Sequence, residues 1–217
     1  MHINYMLNRS TDGGQTWSLN GSSSGIVVAS ADSTQPTPKF CTVNALLGGV
    51  DHATVDPKTG DVYYVYGNRD PRTGNNRLAI RRLTTNGAGV LSIGPEIFVT
   101  GQVQAALPQV AVLDNGTVGV FYYTCDGFSA TTIPVFTAHL TVSDDLGATF
   151  TDFGLGTFLS VATDNGNARQ RVLGDYQQVK AVKNTFYGSF AANGIAFGNP
   201  NVATDPIFFS VGSNGRH

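Results

Sequence analysis

A chain of 217 residues with 41% apolar content can bury a core of its own, as one large domain or two small ones, which excludes a mini-protein held by staples. Charged residues make up 13%, the formal net charge is −2 and no run of Lys or Arg occurs, so nucleic acid and anionic membranes are poor main partners. The 26 glycines, the single glutamate Glu96 and segments dominated by Thr, Val, Phe and Tyr disfavour helices.

Taken in chain order, Ile3 to Arg9 predicts a strand running into a turn, and Trp17 to Leu19 with Gly25 to Ala29 return on the other side. Residues 30 to 50 read as a loop. From His52 the order becomes regular: HATVDP, the turn KTG, DVYYVYGN, the loop RDPRTGNN, RLAIRRLTT, the turn NGAG and VLSIGPEIFVT, four strands in sequence. Four more follow in PQVAVLD, TVGVFYYT, PVFTAHLTV and TFTDFGLGTFLS, then three in GDYQQVKAV, TFYGSFAAN and PIFFSVG. Repeated four-stranded units are the signature of propeller blades. The expected fold is therefore all-β, a β-propeller of four-stranded antiparallel blades in a partial ring of about three to four blades. Its units span approximately 1–29 (partial), 50–100, 107–160 and 174–212 (partial).

One pattern occurs twice. Residues 10–17 read STDGGQTW and residues 143–150 read SDDLGATF, so Ser10, Asp12, Gly14 and Trp17 recur as Ser143, Asp145, Gly147 and Phe150. Asp12 and Asp145 can accept hydrogen bonds from backbone N–H groups just ahead of them while Gly supplies positive φ. Both stretches are expected to be hairpin turns, with the Asp structural and the aromatic ring buried beneath the turn as a plug.

The pattern resembles the Asp-box, or BNR repeat, of sialidases and several other β-propeller families. The segments DPKTGDVYYVYGNRD, ALPQVAVLDNGTVGVFYY and LGDYQQVKAVKNTFYGSF further resemble bacterial sialidase-like proteins. The resemblance implies a secreted hydrolase, a glycoside hydrolase of exo-α-sialidase type acting on or binding glycans, with an extracellular or periplasmic location and an acidic sugar as ligand. Sialidases carry an Arg-Ile-Pro motif before the first box and a Tyr/Glu pair that forms the nucleophile. The chain lacks the motif, and no such pair is evident, since Glu96 falls in a predicted outer strand. The alternative is a non-catalytic propeller module that binds glycan or protein.

In a propeller the repeated turns and KTG, NG and KN would share one face, leaving residues 30–50, 67–76, 100–107, 124–132, 161–174 and 192–204 as loops on the other. Arg69, Asp70, Arg72, Asp126, Arg169, Arg171, Asp175 and Tyr176 all fall there. Arg69, Arg72, Arg169 and Arg171 are candidates to grip a ligand carboxylate bidentately, and Asp175 and Tyr176 are the candidates for chemistry. Residues 68–72 read equally as a solvated turn with surface ion pairs. The four histidines are scattered, so no metal is expected; a calcium ion near Asp164 or Asp205 has no motif behind it, and no cofactor is indicated. Cys41 and Cys125 read as one bridge or as two buried thiols. No apolar run approaches the ~20 residues that span a bilayer, and Met1-His2-Ile3-Asn4 lacks the pattern of a signal peptide. Strands short of a full blade at both ends predict open sheet edges, to be covered by a homodimer partner or a missing propeller half.

Overall fold

The computed structural model describes residues 2–32, 39–41, 43–44, 51–69, 76–99, 104–163, 165, 172–174 and 177–213. The described residues form antiparallel sheets with one short 3₁₀ turn, Gly194–Phe197. The first sheet pairs β1 (His2–Leu7) with β2 (Ile26–Asp32). A small ladder, β3 (Lys39–Phe40) with β4 (Val43–Asn44), follows where a plain loop is expected from sequence. The second sheet orders β5 (His52–Val55), β6 (Val62–Arg69) and β7 (Asn76–Thr85), with its outer edge split into β8 (Leu91–Ile93) and β9 (Ile97–Phe98), both paired to β7. The third orders β10 (Ala105–Val112), β11 (Val118–Phe128), β12 (Pro134–Ser143) and β13 (Thr151–Leu159), and the fourth β14 (Gln178–Val182), β15 (Thr185–Asn193) and β16 (Thr204–Gly212). These up-and-down sheets of two, four, four and three strand positions are propeller blades laid in chain order, and the ring is not closed among the described residues.

Burial explains why the strands read as they do. β11 is the central case: Val118, Val120 and Tyr122 pack toward Tyr63, Val65 and Ile80 of the second sheet, while Phe121 and Tyr123 pack toward Phe186, Phe190 and Phe209 of the fourth. A strand covered on both faces needs apolar residues at successive positions, hence the run Val-Gly-Val-Phe-Tyr-Tyr. A third cluster, with Tyr5, Val28, Tyr64, Tyr66 and Leu83, joins the first sheet to the second. Each core thus lies between consecutive blades. Within the last of these interfaces the small residue matters as much as the large: a Cβ added at Gly119 would lie 2.6 Å from Phe186 Cε1, so the ring occupies the space the glycine leaves.

The two repeated turns close the same hydrogen-bond circuit. In the first, Ser10 Oγ donates to Asp12 Oδ1 at 2.7 Å, the N–H of Gly14 donates to Ser10 Oγ at 2.8 Å, and Thr16 donates from its N–H and hydroxyl to the two Asp12 oxygens at 2.9 and 2.6 Å. In the second, Ser143, Gly147 and Thr149 repeat these bonds around Asp145 at 2.8, 2.8, 2.8 and 2.6 Å. Gly14 and Gly147 both have φ of 91°, a region other residues enter at a cost. Every fixed position of the pattern except the aromatic therefore has a bond or a dihedral to account for it.

The aromatic positions diverge. Phe150 is half-buried against the core between the second and third sheets, as expected. Trp17 is not buried: it is 53% exposed, with its indole N–H donating to Gly14 O at 3.2 Å. The reason is positional. Phe150 has the preceding blade beside it, where Ile80 Cγ2 comes within 3.9 Å of a Cβ built on Gly147, whereas no blade precedes the first among the described residues.

Cys41 and Cys125 are joined in a disulfide with a Cα–Cα distance of 5.8 Å, which settles the two readings of the cysteines. The bridge ties the segment around β3 to the end of β11. Two further positions differ from the expected loops: Asp126 lies within β11, which runs on to Phe128, and Asp205 lies within β16. No helix among the described residues is long and apolar enough to cross a membrane.

Candidate functional site

Of the candidate ligand-gripping and catalytic residues, Arg72, Arg169, Arg171, Asp175 and Tyr176 lie outside the described residues, as do Asp70 and Asp164. Arg69 closes β6, paired with Asn76 across the hairpin. The structure has a cleft of about 530 Å³ at the start of the fourth sheet. Its walls come from the connection between the third and fourth sheets and from β15 and β16. Val161, Val172 and Pro206 give it an apolar lining, and Gln177, Ser189, Thr204 and Asp205 supply polar groups. Size and lining match those of small-molecule sites, concave and mostly apolar with a few polar groups.

Gln177 is the unusual member. It is 5% exposed, its Nε2 donates to Leu107 O at 3.4 Å, and its Oε1 is buried without a partner. The orientation of the amide follows from that bond, because a carbonyl oxygen only accepts. Leu107 itself is buried at φ 59° immediately before Pro108, a conformation that a bulky residue ahead of proline avoids. Asp205 accepts from Asn199 Nδ2 at 2.9 Å, so its carboxylate is held by the connection between β15 and β16. Sequence reasoning singled out Asp205 for calcium and passed over Gln177, which carries no motif; its signal exists only once burial is known.

Two polar clusters lie elsewhere. In the second sheet Tyr66 donates its hydroxyl to Glu96, Asn68 Nδ2 donates to the same carboxylate at 2.9 Å, and Arg81 Nε donates to the Tyr66 oxygen at 3.1 Å. Tyr66 and Glu96 thus meet as a hydrogen-bonded pair, with Glu96 on the outer edge of the sheet where the sequence places it. Glu96 reaches Tyr66 because the outer strand breaks at Gly94, whose N–H bonds to Arg82 O at 2.9 Å, between β8 and β9. Burial, and then the hydrogen bond to Glu96, push the Tyr66 hydroxyl well above its ordinary range. Together these bonds tie Glu96, on the outer edge of the sheet, to Tyr66 and Asn68 of β6 and, through the Tyr66 oxygen, to Arg81 of β7.

On the third sheet Asp152 Oδ2 meets His139 Nδ1 at 2.9 Å, and His139 Nε2 meets Thr124 Oγ1 at 2.9 Å. The order carboxylate, imidazole, hydroxyl is that of a catalytic triad. The chemistry is not: Thr124 is 6% exposed and donates its one hydrogen to Asp126 Oδ1 at 2.8 Å, leaving no free hydroxyl to attack a substrate. Burial raises the Asp152 carboxyl, but hydrogen bonds from His139, Thr141 and Tyr122 outweigh it and leave the group below its usual range. Asp126, expected in a binding loop, is thus a partner in this ladder. His52 is likewise structural, its Nδ1 accepting from the N–H of Val110 at 3.1 Å across the inner strands. Burial, then the nearby Lys180, hold its ring below the ordinary histidine value. Among the described residues no group of three or more His, Cys, Asp or Glu is arranged to hold a metal ion.

No family model matches the chain, and no curated protein matches it. Among solved structures it is similar to one titled glycoside hydrolase, at 12% identity and a TM-score of 0.41. The likeness covers 76% of this chain and 46% of that one, so the chain spans under half the length of the solved structure it matches.

Proposed function

We propose that the chain is a sialidase-like, Asp-box propeller that binds glycans, and that the cleft at the start of the fourth sheet is where it does so. The observation that carries this is the cleft itself: an apolar wall of Val161, Val172 and Pro206 suits the C–H face of a sugar ring, while Gln177, Ser189, Thr204 and Asp205 suit its hydroxyls. The matching circuits of the two turns support the Asp-box reading. A hydrolytic reaction would rest on Asp175 and Tyr176, and an acidic sugar on Arg169 and Arg171. The Cys41–Cys125 disulfide supports an extracellular or periplasmic location.

Saturation-transfer NMR with a mixed panel of neutral and acidic monosaccharides tests the reading. Wild type is expected to give transfer to at least one sugar, and Ser189→Trp, which fills the cleft, to abolish it. Transfer that survives in Ser189→Trp places the site elsewhere.

The expectation of a partner also stands as a proposal. The outward face of the fourth sheet exposes Phe208, Tyr187 and Val182, with the Phe208 and Tyr187 rings 6.3 Å apart. A second copy covering that face would appear as a concentration-dependent dimer in light scattering, whereas a monomer at every concentration would refute it.

A further inference from the structure

The cleft carries a preference as well as a volume. A buried carbonyl oxygen without a hydrogen bond is an uncommon cost in a folded protein. Gln177 Oε1 bears that cost at the wall of the cleft, and the bond on the other side of the amide, 3.4 Å to Leu107 O, is long enough that little is lost if the amide turns. The terminal torsion of a glutamine side chain is soft, so a modest rotation presents Oε1 to the cleft. Whatever satisfies it must bring an O–H or N–H donor. The charge of the lining narrows the class further. Among the described lining residues the one ionisable group is the Asp205 carboxylate, which accepts hydrogen bonds and repels anions, and none of these described residues is a cation. The remaining wall includes the apolar side chains of Val161, Val172 and Pro206.

We propose that the cleft selects a neutral, hydroxyl-bearing sugar and that Gln177 is its specificity-determining residue, its Oε1 accepting a hydrogen bond from a sugar hydroxyl while the ring's C–H face lies against the apolar wall. This rests on the glycan-binding reading above and fixes its substrate class. Gln177 acts by binding and positioning; no bond is made or broken.

The test is calorimetric titration of methyl α-glucoside, methyl β-galactoside, methyl α-mannoside and N-acetylneuraminic acid into wild type, Gln177→Leu, Gln177→Met and Ser189→Trp, with a thermal melt of each protein. At least one neutral glycoside is expected to bind wild type, to bind both Gln177 variants more than tenfold more weakly, and to be lost in Ser189→Trp. The melting midpoints of the Gln177 variants should equal or exceed that of wild type, because the substitution removes an unsatisfied oxygen; a purely structural glutamine would lower them. Equal affinity in wild type and both Gln177 variants, with loss in Ser189→Trp, overturns the role of Gln177 and leaves the glycan reading standing. Binding of N-acetylneuraminic acid alone overturns the neutral class in the same way. Binding of no sugar overturns both.

Discussion

The contact that most directly tests blade-on-blade packing is Gly119 against Phe186. A Cβ on Gly119 would lie 2.6, 2.7 and 3.0 Å from Cε1, Cζ and Cδ1 of the ring, where carbon atoms pack at about 3.5–4.0 Å. In Gly119→Ala the ring must retreat by roughly 1 Å, and Phe186, fully buried among Phe121, Phe190 and Phe209, has no void to retreat into. Overpacking of this kind costs about 1–3 kcal/mol. At roughly 2–4 °C per kcal/mol for a chain of this size, the midpoint should fall by about 2–12 °C. Phe186→Leu alone, a large-to-small change at a fully buried ring, should cost roughly 1–3 kcal/mol, and in the double variant the smaller side chain should give the new methyl group room. The double variant is thus expected to be more stable than the sum of the single changes by about 0.5–3 kcal/mol. Thermal melts of the four proteins form the cycle. Strict additivity, or an unchanged midpoint for Gly119→Ala, would refute the claim that the fourth sheet packs on the third through this contact.

Trp17→Ala should cost under about 1 kcal/mol, as an exposed position does, while Phe150→Ala costs about 2 kcal/mol or more because its ring is half-buried; a melt of each variant ranks them, and the reverse order would contradict the structure. Replacing Cys41 and Cys125 by Ser releases a sequence separation of 84 residues, and chain entropy gives a loss of about 4.5 kcal/mol, read as the difference in denaturant-unfolding free energy between the variant and the oxidised wild type. Hydrogen bonds, from the Thr16 side chain and the Thr149 side chain first, hold the carboxyls of Asp12 and Asp145 down to about 2. Since the folded values are depressed, the stability they contribute is present above the unfolded value of about 3.9 and is lost as pH falls toward about 2. The melting midpoint should therefore drop across that window, and Asp145→Asn should flatten the dependence.

Much of the fold was legible because its signals are local. Alternating and continuous apolar runs, with Asp, Asn and Gly at the turns, gave the strand count of two, four, four and three, and the Ser-x-Asp-x-Gly-x-Thr spacing encodes a circuit closed within eight residues. What escaped depends on distant partners. Trp17 and Phe150 are interchangeable in the pattern, and only the presence of a neighbouring blade separates their fates. Glu96 meets Tyr66 through a break in the outer strand at Gly94, and Thr124, His139, Asp126 and Asp152 converge through strand register across β11, β12 and β13. Gln177 is the extreme case: nothing in its sequence neighbourhood distinguishes it, and its interest lies wholly in a carbonyl oxygen that the surrounding chain buries and does not satisfy. The arginines singled out for a carboxylate were chosen by residue type and loop position, and Arg72, Arg169 and Arg171 lie outside the described residues.

A crystal structure of the protein soaked with the neutral glycoside that binds most tightly would test the central claim most directly. The account predicts a sugar ring against Val172 and Pro206, with one hydroxyl about 3 Å from a Gln177 Oε1 that has turned into the cleft. A sugar bound elsewhere on the chain, or one in the cleft with Gln177 Oε1 still unpaired, would contradict it.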